Sequence, residues 1–131
     1  MCAGTTAPLT YSPSYAPPEV ALAMEAGIRT ITARPAVDLW ALGIMAFEML
    51  THKAVFPPLV TTKEAIWAQL TGRGRLPWEQ GAPRPAESAK KLRGLRRPIL
   101  QCLQRNPDDR PTAEEVLAHL RNLFDSHSSA P

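Results

Sequence analysis

The stretch from Asp38 to Leu50 constrains the fold more than any other part of this chain. Leu39, Trp40, Leu42, Ile44, Met45, Phe47, Met49 and Leu50 surround a helical wheel instead of forming one stripe. A helix apolar on all sides is a buried one with neighbours on every face, and where the rest of the chain does not supply them its apolar surface would be exposed, inviting a partner or aggregation. The uncharged apolar run Leu39 to Phe47 is far shorter than the ~20 residues that span a bilayer. It reads as the buried centre of a globular unit, and with 131 residues in all that burial is a heavy demand.

The flanking sequence supplies further helices and stiff connections. Fourteen prolines are about twice the usual ~5% share, which points to short elements joined by irregular segments. Cys2 to Pro17 is rich in Thr, Ser and Pro and is expected to be an exposed loop. Pro18 to Ala26 reads as a short helix, with Pro18 in its first turn and Gly27 as its stop. Thr61 followed by Glu64 forms a capping pattern for a helix to about Leu70. Arg73 to Glu87 is expected to lie on the surface without regular structure. Ser88 to Arg105 spaces Leu92, Leu95, Ile99, Cys102 and Leu103 like one helix face, but Pro98 requires either a start near Arg97 or a kink. Thr112 with Glu115 opens a last amphipathic helix, and the tail at 126–131 is expected to be disordered. No segment reads as a strand.

Charge and cysteines exclude several classes. Fifteen basic and twelve acidic residues give a net charge of +3, too little to indicate a nucleic-acid partner. Cys2 and Cys102 stand far apart with three histidines in the whole chain, so neither a disulfide framework nor a metal site is expected. Met1 to Pro13 has no basic head followed by an apolar run, so no secretory signal is evident. The expected compartment is the cytoplasm, with the nucleus also compatible, and no membrane association is expected.

Three motifs then stand in a telling order: Ser12-Pro13-Ser14-Tyr15-Ala16-Pro17-Pro18-Glu19-Val20, Asp38-Leu39-Trp40-Ala41-Leu42-Gly43 and Asn106-Pro107-Asp108-Asp109-Arg110-Pro111-Thr112. The first resembles the end of a eukaryotic protein kinase activation segment, with Ser12 in place of a threonine and Pro17 in place of an alanine. The second resembles the start of that family's buried central helix, and the third the approach to its last helix. The resemblance covers about Ser12 to Leu123 and is closer to Ser/Thr kinases than to Tyr kinases. It implies a mainly α fold, the helical subdomain of a kinase C-lobe, incomplete because N-lobe and catalytic loop are absent. The implied divisions are 1–17, the end of the activation segment; 18–125, a partial kinase domain; and the tail.

The resemblance also assigns roles. Glu19 and Arg110 would form a buried ion pair. Asp38 would anchor the catalytic loop, although an ordinary helix N-cap is its competing use. Trp40 and Gly43 would be packing residues. Ser12, Tyr15 and Pro17 would line the pocket for the substrate residue after the acceptor, unless they form only a surface turn. Thr5, Thr6 and Thr10 sit where activation segments are phosphorylated.

Phosphoryl transfer needs groups that place ATP, hold Mg²⁺ and orient a hydroxyl. The chain has no Gly-x-Gly-x-x-Gly loop, no Val-Ala-x-Lys, no His-Arg-Asp and no Asp-Phe-Gly. No catalytic residue is therefore assigned, and the chain alone is expected to bind no cofactor and to be inactive. ATP and Mg²⁺ would serve the completed domain. Met1 falling inside the activation segment that the resemblance implies suggests a truncated kinase. The alternative is a noncatalytic, pseudokinase-like module that docks a protein partner. The expected partner is a protein substrate or docking protein. Arg84, Lys90, Lys91, Arg93, Arg96 and Arg97 could dock an acidic protein or nucleic acid, or simply form a solvated face. No aromatics interleave with them, which disfavours stacking on single strands.

Overall fold

Proline and glycine set the first helix, as the local chemistry requires. In the computed structural model, which describes residues 6–8, 15–28, 30–32, 34–56, 63–72, 76–79 and 84–128, helix α1 spans Pro18–Glu25. Pro17 is its extended N-cap at ψ 165°, the conformation imposed by a following proline. Gly27 turns at φ 79°. Its N–H donates to Met24 O and that of Ile28 to Ala23 O, the two bonds of a Schellman stop.

The central helix α2, Pro35–Thr51, starts three residues earlier than the apolar pattern suggests. Arg34 is its N-cap and makes no side-chain capping bond. Asp38 is therefore the fourth helical residue, and the N-cap alternative for it is overturned. The helix closes at His52 in the left-handed region, φ 56°, where the His52 N–H donates to Glu48 O at 2.9 Å.

Burial of α2 is one-sided. Leu39, Trp40, Ile44, Phe47 and Leu50 are buried, whereas Leu42, Met45 and Met49 are 41, 48 and 70% exposed. The neighbours that an all-round apolar wheel calls for are therefore supplied on one side only, and the other side is the exposed apolar surface expected where they are missing. The physical reason is that α4 (Arg96–Cys102) and the 3₁₀ segment Glu87–Leu95 that leads into it pack against one side of α2. Pro98 takes the third helical position of α4, where a backbone N–H would have no intrahelical acceptor anyway. The helix starts there and does not kink.

The segment expected to be surface coil contributes two core residues. Pro77–Glu79 forms a 3₁₀ turn, with Leu76 and Trp78 buried on either side of Pro77. The Trp78 ring meets Trp40 edge-on at 5.5 Å and Phe47 at 6.1 Å between centroids, a favoured aromatic geometry. Ile66, Trp67 and Leu70 of α3 (Lys63–Thr71) complete the core with Ile99 and Leu103. The capping pair at Thr61 and Glu64 lies at and beside residues outside the described ones, and no bond is assigned to it.

Two further differences concern the ends. The antiparallel strands β1 (Thr6–Pro8) and β2 (Thr30–Thr32) pair Thr6 with Thr32 and Pro8 with Thr30, where no strand was expected. Three residues are too few to show an alternating pattern, although Thr30-Ile31-Thr32 is β-branched throughout. The last helix α5, Ala113–Ser128, continues helically past residue 126, where disorder was expected. At its start Glu115 N–H donates to Thr112 Oγ1 at 3.1 Å, satisfying one of the orphan donors of the first turn. The fold is mainly helical.

Candidate functional site

Arg110 stands where the three motifs converge. It precedes Pro111 and follows the 3₁₀ turn Pro107–Asp109, which Asn106 caps by accepting from Asp108 N–H at 3.0 Å. That turn aims the Arg110 side chain inward, where it is fully buried. Its Nη1 donates to Glu19 Oε1 at 2.6 Å and its Nη2 to Glu19 Oε2 at 2.8 Å. The Nε donates to Gln104 O, Nη1 also to Ala36 O, and Nη2 also to Arg105 O. A guanidinium has five N–H donors, and each has an acceptor here. The same group lies 5.1 Å from the Trp40 ring centroid, a cation–π distance. One side chain thus ties α1, the start of α2 and the approach to α5.

The remaining sequence-assigned residues are distributed around this centre. Asp38 is exposed and has no partner among the described residues. Trp40 is fully buried beside Arg110, and Gly43 is buried facing α4. Tyr15 is exposed while Pro17 is buried. Ser12, Thr5 and Thr10 lie outside the described residues, and Thr6 pairs with Thr32 in the short ribbon. The chemistry at this centre is that of a structural tie, because among the described residues the thiol within reach of the ion pair is the buried Cys102.

A second tie had no sequence signal. Arg105 donates through Nε to Glu79 Oε1 at 2.8 Å and through Nη2 to Glu79 Oε2 at 3.2 Å. It also donates to Leu70 O at 2.8 Å, and Leu76 N–H donates to Glu79 Oε2. This network fastens the Trp78 turn between α3 and α4. On the surface, Arg34 pairs with Asp108 at 2.9 Å.

Cys102 is buried within electrostatic reach of Arg110. Burial pushes its thiol up to about 11, with the positive charge of Arg110 pulling in the opposite direction. It is a protonated, buried thiol at neutral pH and not an activated nucleophile. Among the described residues no group of three His, Cys, Asp or Glu side chains is placed to hold a metal ion. No helix among them is long and apolar enough to cross a membrane.

Comparison with known proteins agrees with this arrangement. Residues 3–120 match the protein kinase domain family. The chain is 31% identical over 90 residues to the tyrosine-protein kinase SRK3 of Spongilla lacustris. That match covers 69% of this chain and 23% of the relative, so the chain spans less than a quarter of the relative's length. On the match across residues 3–120, this chain belongs to the protein kinase domain family.

Proposed function

We propose that these residues are the helical, substrate-side part of a kinase C-lobe, and that the completed domain transfers the γ-phosphate of ATP to a protein hydroxyl. The observation that carries this reading is the convergence of the three motifs on Arg110, which meets Glu19 of the first and Trp40 of the second. The nucleotide-binding motifs of the family are absent from the sequence. Positioning of ATP and of the reacting hydroxyl is therefore assigned to residues outside these 131. Their own contribution is to hold the end of the activation segment through Glu19 and to offer Asp38 to a catalytic loop. Tyr15 and Pro17, with Ser12, would border the substrate chain.

Serine or threonine is the proposed acceptor, on the Ser12-to-Glu19 motif. The relative named as a tyrosine kinase supports the competing assignment. A cytoplasmic location belongs to the same reading. The test begins with the intact mass of the endogenous protein after antibody capture. A mass well above 14.4 kDa, with phosphate transfer to Ser/Thr peptides by the captured protein, is expected. Transfer to Tyr peptides would reverse the acceptor assignment, and a mass of 14.4 kDa without transfer would overturn the catalytic reading.

A second reading is favoured by one observation. Leu42, Met45 and Met49 are exposed on α2 at spacings of three and four, an apolar stripe that no described residue covers, of the kind that marks an interaction surface. A noncatalytic module that docks a protein there would account for the stripe, and a 14.4 kDa native mass would turn the assignment to it.

A further inference from the structure

We infer that the cleft between the 3₁₀ segment Glu87–Leu95 and α4 is a docking site for an acidic peptide of a partner protein, anchored by a phosphorylated side chain beside an aliphatic residue. The cleft has a volume of about 440 Å³ and is lined by Arg93, Gly94, Arg96, Arg97, Leu100, Gln101 and Gln104. Arg93, Arg96 and Arg97 are exposed, and none has an acidic partner among the described residues. Among the described residues no carboxylate lines the cleft. The basic run seen in sequence is thereby narrowed, since Arg84 does not contribute to it.

The chemistry of the lining selects the ligand. Three guanidinium groups around one concavity suit a phosphomonoester, which accepts paired, charge-assisted bonds from their planar forks. Gln101 and Gln104 offer neutral donors and acceptors for a peptide backbone. Half-buried Leu100 supplies an apolar surface for a neighbouring aliphatic side chain. Nucleic acid is disfavoured because no aromatic residue among the described ones lines the cleft for base stacking.

Fluorescence anisotropy of the 131-residue chain with a labelled phosphoserine peptide containing glutamates and one leucine tests the assignment. Saturable binding is expected, weakened ~10-fold or more in the triple variant Arg93→Gln/Arg96→Gln/Arg97→Gln and unaltered in Arg84→Gln. Unchanged thermal melting would show that the triple variant keeps its fold, as exposed positions predict. If the variant melts lower, the three single variants, each at an exposed position, replace it and should each weaken binding. Equal binding by the unphosphorylated peptide, undiminished binding by the variants, or no binding would overturn the proposal. So would tighter binding of a short single-stranded RNA, or complete competition by equimolar inorganic phosphate, which would indicate a small-anion site.

Discussion

Gly43 and Cys102 meet so closely that a Cβ on residue 43 would lie 2.9 Å from the Cys102 Cβ. The Leu103 side chain would crowd it equally, with Cδ2 also at 2.9 Å. A Cβ cannot rotate away, so Gly43→Ala must push α2 and α4 apart. Overpacking of this kind costs ~1–3 kcal/mol, against a gain of up to ~1 kcal/mol in helix propensity. With the full propensity gain a net destabilisation of roughly 0–2 kcal/mol is expected in urea unfolding, and a midpoint raised above that of the parent chain would refute the close crossing.

Glu19→Ala leaves the buried Arg110 guanidinium without its carboxylate and should destabilise the chain by ~3–5 kcal/mol. Hydrophobic replacement of both partners often rescues such pairs. Here rescue should be incomplete in Glu19→Leu/Arg110→Met, because the carbonyls of Ala36, Gln104 and Arg105 also lose a donor. A double-mutant cycle by chemical denaturation measures the difference.

Stability should fall in alkali through Cys102. Its thiol rises from 9.0 to about 11 on folding, so between those values the folded state retains a proton that the unfolded state releases. The contribution is constant below pH 9 and declines by at most ~1.4 kcal/mol per pH unit toward pH 11. Cys102→Ala should remove that part of the slope, seen as the difference between the two chains' stability curves.

Arg105→Ala should loosen the Trp78 turn, since Arg105 supplies bonds to both Glu79 and Leu70. The pair is partly exposed, so about 1–2 kcal/mol is expected. Faster chymotryptic cleavage after Trp78, with little change at Trp40, is the measurement that distinguishes local release from global unfolding.

How far these features were legible depends on the range over which each is encoded. Pro18 with Gly27 and Thr112 with Glu115 are local chemistry, and α1 and the start of α5 follow from them. The partners Glu19 and Arg110 could be named only through a family resemblance, since nothing within a few residues of either points to the other. Leu76 and Trp78 sit among prolines, glycines and charges that mark a surface segment. Their burial is decided by Trp40, Phe47 and Arg105, all distant in sequence. For α2 the sequence shows that neighbours are in short supply but not which side they leave open: an apolar wheel shows what could be covered, while coverage depends on which neighbours arrive.

The tie between Glu19 and Arg110 closes over 91 residues, and this sets an order of events during synthesis. At ~5–20 residues per second, the carboxylate is made roughly 5 to 20 seconds before the guanidinium that will hold it. Throughout that interval Trp40 has no cation above its ring, and α1 has no anchor to the end of the chain. The nascent protein therefore spends seconds with this tie open, and slower translation lengthens that interval in proportion.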